Sequence, residues 1–168
     1  MADMIRVGVL TISDRCSRRE RDDASGPAIQ SALPDDRYVV ALYAVIPDDK
    51  KSIQETLRRW ADEYSCDVIL TTGGTGLSPH DHTPEATEKV IDRPVPGISL
   101  YLITEGIKTL PAAALSRGIA GMRGKTLIVN LPGSPGAASD YTRLLCNLLP
   151  HAVSVIRGED APHPAPVS

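Results

Sequence analysis

The 168-residue chain contains no phenylalanine, one tryptophan and five tyrosines, so Leu, Ile and Val have to fill any core. Its three cysteines, Cys16, Cys66 and Cys146, are an odd and widely spaced set with no CxxC pair. This argues against a disulfide framework and a cysteine zinc site, and leaves buried or idle thiols. No apolar run reaches the roughly 18–20 residues that span a bilayer. The start, "MADMIRVGVL", has one Arg and no signal-type cleavage region, so an intracellular, cytoplasmic protein is expected. Dense Lys/Arg runs are also missing, and the formal net charge is −3. That is the wrong sign for tracking nucleic-acid phosphates. The charged segment "SRRERDD" is balanced and reads as a solvated loop.

What remains is an ordinary globular composition, with enough chain for one domain, expected over residues 1–158. The Pro-rich end, residues 159–168, has the composition of a disordered tail. "MIRVGVLTIS" is a nearly continuous β-branched and apolar run, as in a strand buried on both faces. A polar loop follows, then a helix from about Gly26 to Leu33 with Ser25 as its cap. "RYVVALYAVIP" predicts a second strand. Ile53, Leu57, Trp60 and Tyr64 then recur at helical spacing, behind a cap at Asp48 or Asp49. "CDVILTT" predicts a third strand. Thr83 is placed to cap the helix "TPEATEKVID", with Pro84 in its first turn. A further helix is expected over Pro96 to Leu110. "GKTLIVNLPGSPG" predicts a strand and turn, and the chain closes with helix broken near Pro150. Strands alternating with helices predict an α/β three-layer sandwich on a mostly parallel sheet.

In such sheets ligands bind at the carboxyl ends of the strands. Four loaded turns follow strands here: "TISDR", "IPDD", "TTGGTG" and "NLPGSP". Gly73, Gly74 and Gly76 would let a ligand reach main-chain N–H groups, a nest that suits phosphate. The pattern is neither GxGxxG nor a Walker loop, and it fits a plain tight turn equally well. Asp48 and Asp81 each stand just past a strand. As carboxylates they suit Mg²⁺, which takes one or two such ligands plus phosphate oxygens. Asp48 also fits a helix cap. Asp14 and Asp23 flank the first turn and could bind a loop or a ligand hydroxyl. His80 and His82 bracket Asp81, but no further His/Cys cluster supports a zinc site. Ser134 is not in a G-x-S-x-G elbow.

Taken together, "TISD", "IPDD", "LTTGGTG", "DHTPEAT", "ALSRGIAGMRGKTLIVNLPGSP" and "LLPHAV" resemble the molybdopterin adenylyltransferases of molybdenum cofactor synthesis. The likeness is close to the amino-terminal G domain of gephyrin-type proteins and covers about Ile5 to Arg157. It implies a trimeric α/β sandwich that uses ATP and Mg²⁺ to adenylylate molybdopterin, releasing pyrophosphate. It further implies a separate molybdate-inserting partner domain or protein. Asp48 and Asp81 match the family's two critical acids, as catalytic and metal-binding residues. The nucleotide pocket matches Gly73, Gly74, Thr75, Gly76, Ser116 and the Asn130-Leu131-Pro132-Gly133 turn. Ser13 and Asp14 match the pterin side, and Asp23, Ser25 and Gly26 a family "DRSG". Ala24 stands where Arg is usual, and His80 and His82 stand where Arg and Val are usual. Lys51 or Arg117 is a candidate for extra cationic support. The resemblance leaves two other roles open: a gephyrin-like trimeric connector, or a pterin binder without adenylylation.

Overall fold

The computed structural model of the chain describes residues 3–159 and Pro166. The tail expected at 159–168 therefore lies outside the described residues, apart from Glu159 and Pro166. β1 (Ile5–Ile12), β2 (Tyr38–Ile46), β3 (Val68–Thr72) and β6 (Thr126–Leu131) grow from the four predicted apolar runs. They lie parallel in a six-stranded sheet ordered β2-β1-β3-β6-β5-β4. The two outer strands were not expected. β5 (Ala120–Arg123) is antiparallel to β6, and β4 (Arg93–Pro94) is antiparallel to β5.

Side chains alternate across the sheet, and the two faces fill separately. Val7, Val9, Val68, Leu70, Leu127 and Val129 pack under α2 (Ser25–Ala32), α5 (Pro96–Gly106), α6 (Pro135–Leu145) and α7 (Leu149–Arg157). Leu10, Ile12, Ile69 and Ile128 pack on the other face under α3 (Lys50–Asp62) and α4 (Thr83–Glu88). The result is the expected three-layer sandwich. Leu, Ile and Val make up the largest fully buried side chains, as the lack of Phe required.

Several local expectations change. The polar loop after β1 contains a short helical turn, α1 (Asp14–Ser17), with the Ser13 hydroxyl accepting from the Cys16 N–H. Ser25 does not cap α2. Asp23 takes that role, its Oδ1 accepting from the N–H groups of Ser25 and Gly26. Thr83 caps nothing either; its hydroxyl donates to the Gly73 carbonyl at 2.9 Å. Between the two candidate caps of α3, Asp49 is the cap, accepting from the Ser52 N–H and hydroxyl. The helix from Pro96 ends at Gly106, and a 3₁₀ turn follows over Pro111–Leu115. The last helix breaks just before Pro150, between Leu145 and Leu149. Among the described residues no helix is long and apolar enough to cross a membrane, and all three cysteines are free thiols.

Candidate functional site

Register puts the loaded turns side by side. Thr11 of β1 pairs with Thr72 of β3, Thr72 pairs with Leu131 of β6, and Ile12 pairs with Ile46 of β2. The four parallel strands thus end level, and their turns leave from one edge. The chain passes from β1 outward to β2, then crosses back to β3 on the other side. This reversal opens a crevice between β1 and β3 at their carboxyl ends.

Two cavities occupy that edge. The first, about 520 Å³, is walled by Ser13, Asp14, Ser25, Asp48, Gly73 and His80 among others. The second, about 370 Å³, is walled by Thr75, Gly76, Ser116, Pro132, Ala137 and Tyr141 among others. Both lie in the size range of small-molecule sites. Gly74, Asp81, Gly133 and Ser134 line both cavities, so the two spaces share one wall.

Glycine is required at that wall. Gly73 and Gly74 have φ of 98° and 67°, a left-handed backbone that side chains strain to adopt. A Cβ on Gly73 would stand 2.2 Å from the Ile12 carbonyl oxygen. On Gly74 it would stand 2.4 Å from Asp48 Oδ2 and 2.3 Å from the Thr83 hydroxyl. The glycine turn is therefore pressed against the end of β1 and the Asp48 carboxylate.

The acids are organised by backbone donors. Asp14 Oδ1 accepts from the Asp48 N–H at 2.9 Å, and Asp48 Oδ1 accepts from the His82 N–H at 3.0 Å. These two bonds tie the turns after β1, β2 and β3 together. Asp81 Oδ2 accepts from the Ser78 N–H at 3.1 Å. Burial pushes the Asp48 carboxyl up to about 6, with Asp81 and Asp14 adding to the rise and the His82 N–H opposing it. Desolvation and neighbouring like charge both disfavour the ionised form. A cation or a proton supplied at this point would relieve both.

Other sequence candidates are placed differently. Asp23 lines the first cavity, but its carboxylate is committed to the protein. It accepts from the Thr11 hydroxyl at 2.8 Å, from the Tyr43 hydroxyl, and from the two N–H groups at the start of α2. Ser25 donates to the Gly133 carbonyl at 2.5 Å, joining the first turn to the last. Asn130 is buried away from both cavities. Its amide donates to the Thr71 and Thr87 hydroxyls, and its oxygen accepts from the Ile119 N–H. Lys51 is exposed beside Glu55 and lines neither cavity. Arg117 also lines neither; its guanidinium is held by Gly76, Asp81 and Glu85. Arg15 and Arg21, which the motifs did not single out, do line the first cavity. Arg21 belongs to the balanced charge run, which reads as solvent-facing surface, and Arg15 ends the loaded turn "TISDR" without a role of its own there.

A helix-covered, mostly parallel sheet with a two-lobed cavity at its carboxyl edge defines a small-molecule-binding α/β sandwich protein. The chain belongs to the family described as the probable molybdopterin binding domain, whose family model matches residues 8–151. It is similar to the molybdopterin adenylyltransferase of Helicobacter pylori strain 26695, with 40% identity over 92% of this chain and 89% of that protein. It is 44% identical over 94% of its length to the molybdenum cofactor synthesis protein cinnamon of Drosophila melanogaster, of which it spans 26%. Among solved structures it resembles the molybdopterin biosynthesis enzyme MoaB of Thermus thermophilus. The TM-score there is 0.88, with 48% identity over 93% of this chain and 98% of that one.

Proposed function

We propose that this chain is a molybdopterin adenylyltransferase: it transfers AMP from ATP to the terminal phosphate of molybdopterin and releases pyrophosphate. The observation that carries the reading is the wall shared by the two cavities, at Gly74, Asp81, Gly133 and Ser134. A two-substrate phosphoryl transfer needs two binding spaces that meet where the phosphates react. The first cavity, beside Ser13 and Asp14, takes the pterin. The second, between the glycine turn, Ser116 and Pro132, takes the nucleotide.

An oxygen of the molybdopterin phosphate attacks the α-phosphorus of ATP in line. The new P–O bond forms as the bond to the bridging oxygen of pyrophosphate breaks, and pyrophosphate leaves with that electron pair. The attacking phosphate is already anionic, so no dedicated base is needed. Catalysis then rests on positioning and on stabilising charge. The glycine-turn amides beyond Gly73, whose own N–H donates to the Leu131 carbonyl at 3.3 Å, hold nucleotide phosphate without adding side-chain bulk. Arg15 and Arg21 line the pterin side and offset phosphate charge where the usual family arginines at 24 and 80 are replaced.

The donor set fits Mg²⁺. Among the described residues no cluster of three or more His, Cys, Asp and Glu is arranged to hold a metal. Mg²⁺ needs only one or two carboxylates when substrate phosphates complete its shell, and Asp48 Oδ2 and Asp81 meet that need beside the glycine turn. When bound, the ion would offset charge developing on the reacting phosphates. The product would pass to a molybdate-inserting partner. We further propose a homotrimer, supported by the apolar helix α5 and its C-cap, where Leu100 is 67% and Ile107 42% exposed.

The test is to incubate the chain with molybdopterin, ATP and Mg²⁺ and assay pyrophosphate and adenylylated pterin. Both should form, and only with all components present. D81N should lower turnover by roughly 100-fold or more, the scale of losing a key electrostatic group. Turnover by D81N at the wild-type rate would remove Asp81 from the mechanism.

A further inference from the structure

Arg117 sits between the 3₁₀ turn and β5, where its side chain forms a clasp. Nε donates to the Gly76 carbonyl at 2.7 Å, Nη2 donates to the Asp81 carbonyl at 3.0 Å, and Nη1 donates to the Glu85 carboxylate. Its backbone N–H adds a bond to the Thr75 carbonyl at 2.9 Å. One residue thus holds both ends of the excursion from Thr75 to Asp81, together with the first turn of α4. The loop between, residues 77–80, is exposed. The bonds found within it are short-range: Ser78 N–H to Asp81 Oδ2, His80 N–H to the Ser78 hydroxyl, and Asp81 N–H to the Ser78 carbonyl. Those contacts shape the loop but do not anchor it to the sandwich.

We infer that Arg117 is a positioning residue for the reaction, fixing the glycine turn and Asp81 against each other at the wall the two cavities share. The inference rests on the adenylyl-transfer reading for its catalytic consequence, though not for its structural one. A guanidinium presents five N–H donors in a rigid plane and so can serve three separate acceptors at once. A lysine ammonium is a point charge on a flexible stem and cannot hold the same three. Arg117 also lines neither cavity, which favours this structural role over direct contact with substrate phosphate. Glu85 Oε2 is buried and has no hydrogen-bond partner among the described residues. Removing the arginine alone would therefore leave the Glu85 carboxylate without its ion-pair partner.

The test uses R117A, R117K and the double variant R117A/E85Q, which removes the orphaned charge if R117A alone folds poorly. Amide hydrogen exchange reports the clasp directly. Over residues 75–82 it should accelerate about tenfold or more in R117A and R117A/E85Q, while β1, β3 and β6 stay protected. In the adenylylation assay kcat should fall about 30-fold, with the KM values for ATP and molybdopterin within about threefold of wild type. R117K should not restore it, whereas added guanidinium at millimolar concentration should recover part of the lost rate in R117A. Unchanged exchange over residues 75–82 would overturn the clasp. So would a raised KM for ATP with kcat kept, which would mark a direct substrate contact. A wild-type chain that fails to adenylylate would sink the functional reading while the exchange result still judges the clasp.

Discussion

Two neighbouring acids show how differently adjacent residues can be used. Asp48 and Asp49 read alike in the sequence, as alternative caps for one helix. In the structure Asp49 caps, and Asp48 turns inward between the glycine turn and the start of α4. Its carboxyl, raised from 3.8 to about 6, is held where ionisation is disfavoured, first by burial. The folded state therefore binds the proton more tightly than the unfolded state. Stability falls as pH rises through the window from about 4 to 6, and the penalty is fully present above it. A shift of two units would correspond to roughly 3 kcal/mol. The group is only half-buried, and solvent screening reduces this to about 1–2 kcal/mol. D48N keeps an oxygen for the His82 N–H and removes the charge. It should unfold at a higher temperature than wild type at pH 7.5, gain little at pH 4.5, and lose adenylylation. Equal gains at both pH values would show that Asp48 carries no such penalty. The placement of that acid was legible in its motif; its perturbed protonation was not, because desolvation depends on the burial that only the fold creates.

At the scale of elements, apolar runs, helical spacing and start signals together were enough to find every long strand and helix, and the detail of end chemistry was where local reading failed. Ser25 and Thr83 both have the right side chains to cap helices, and both instead bond carbonyls of the glycine turns, at Gly133 and Gly73. A hydroxyl can donate to a carbonyl as readily as it accepts from an N–H, so tertiary neighbours decide. The two outer strands escaped for another reason: β4 and β5 are two and four residues long, too short for alternation to register. Asp49 is the cap whose removal separates folding from function. D49A should cost about 1 kcal/mol, the usual value of a lost N-cap. It should lower the urea midpoint of unfolding while leaving kcat within a factor of two. A large loss of turnover in D49A would mean that α3 is part of the active site, and that the division of labour between the two acids is wrong.

For the molecule as a whole, alternating strands and helices were sufficient to anticipate the sandwich and the edge at which its turns converge. They could not reveal that the site is two-lobed, since the shared wall is built from residues 74, 81, 133 and 134, brought together only by sheet order. Surface apolarity was equally illegible, because the helix expected over Pro96 to Leu110 does not by itself show which of its apolar residues face outward. In the structure α5 buries Leu102 and Gly106, leaves Leu100 outward, and is capped by the exposed Ile107 in helical conformation. Positions 100 and 107 are seven apart, two helical turns, so they lie on one face. Leu110 and Leu115, 57% and 56% exposed, belong elsewhere, because they line the second cavity. Large apolar side chains exposed together on one helical face mark a candidate interface. Copies of the chain joined through α5 would cover it. Light scattering should then give three times the mass of one chain for wild type. L100E/I107E should give a smaller mass with the far-ultraviolet circular dichroism of wild type, since neither side chain packs in the core. A wild-type mass equal to one chain, or a double variant that assembles as before, would mean that α5 is not the surface through which copies associate.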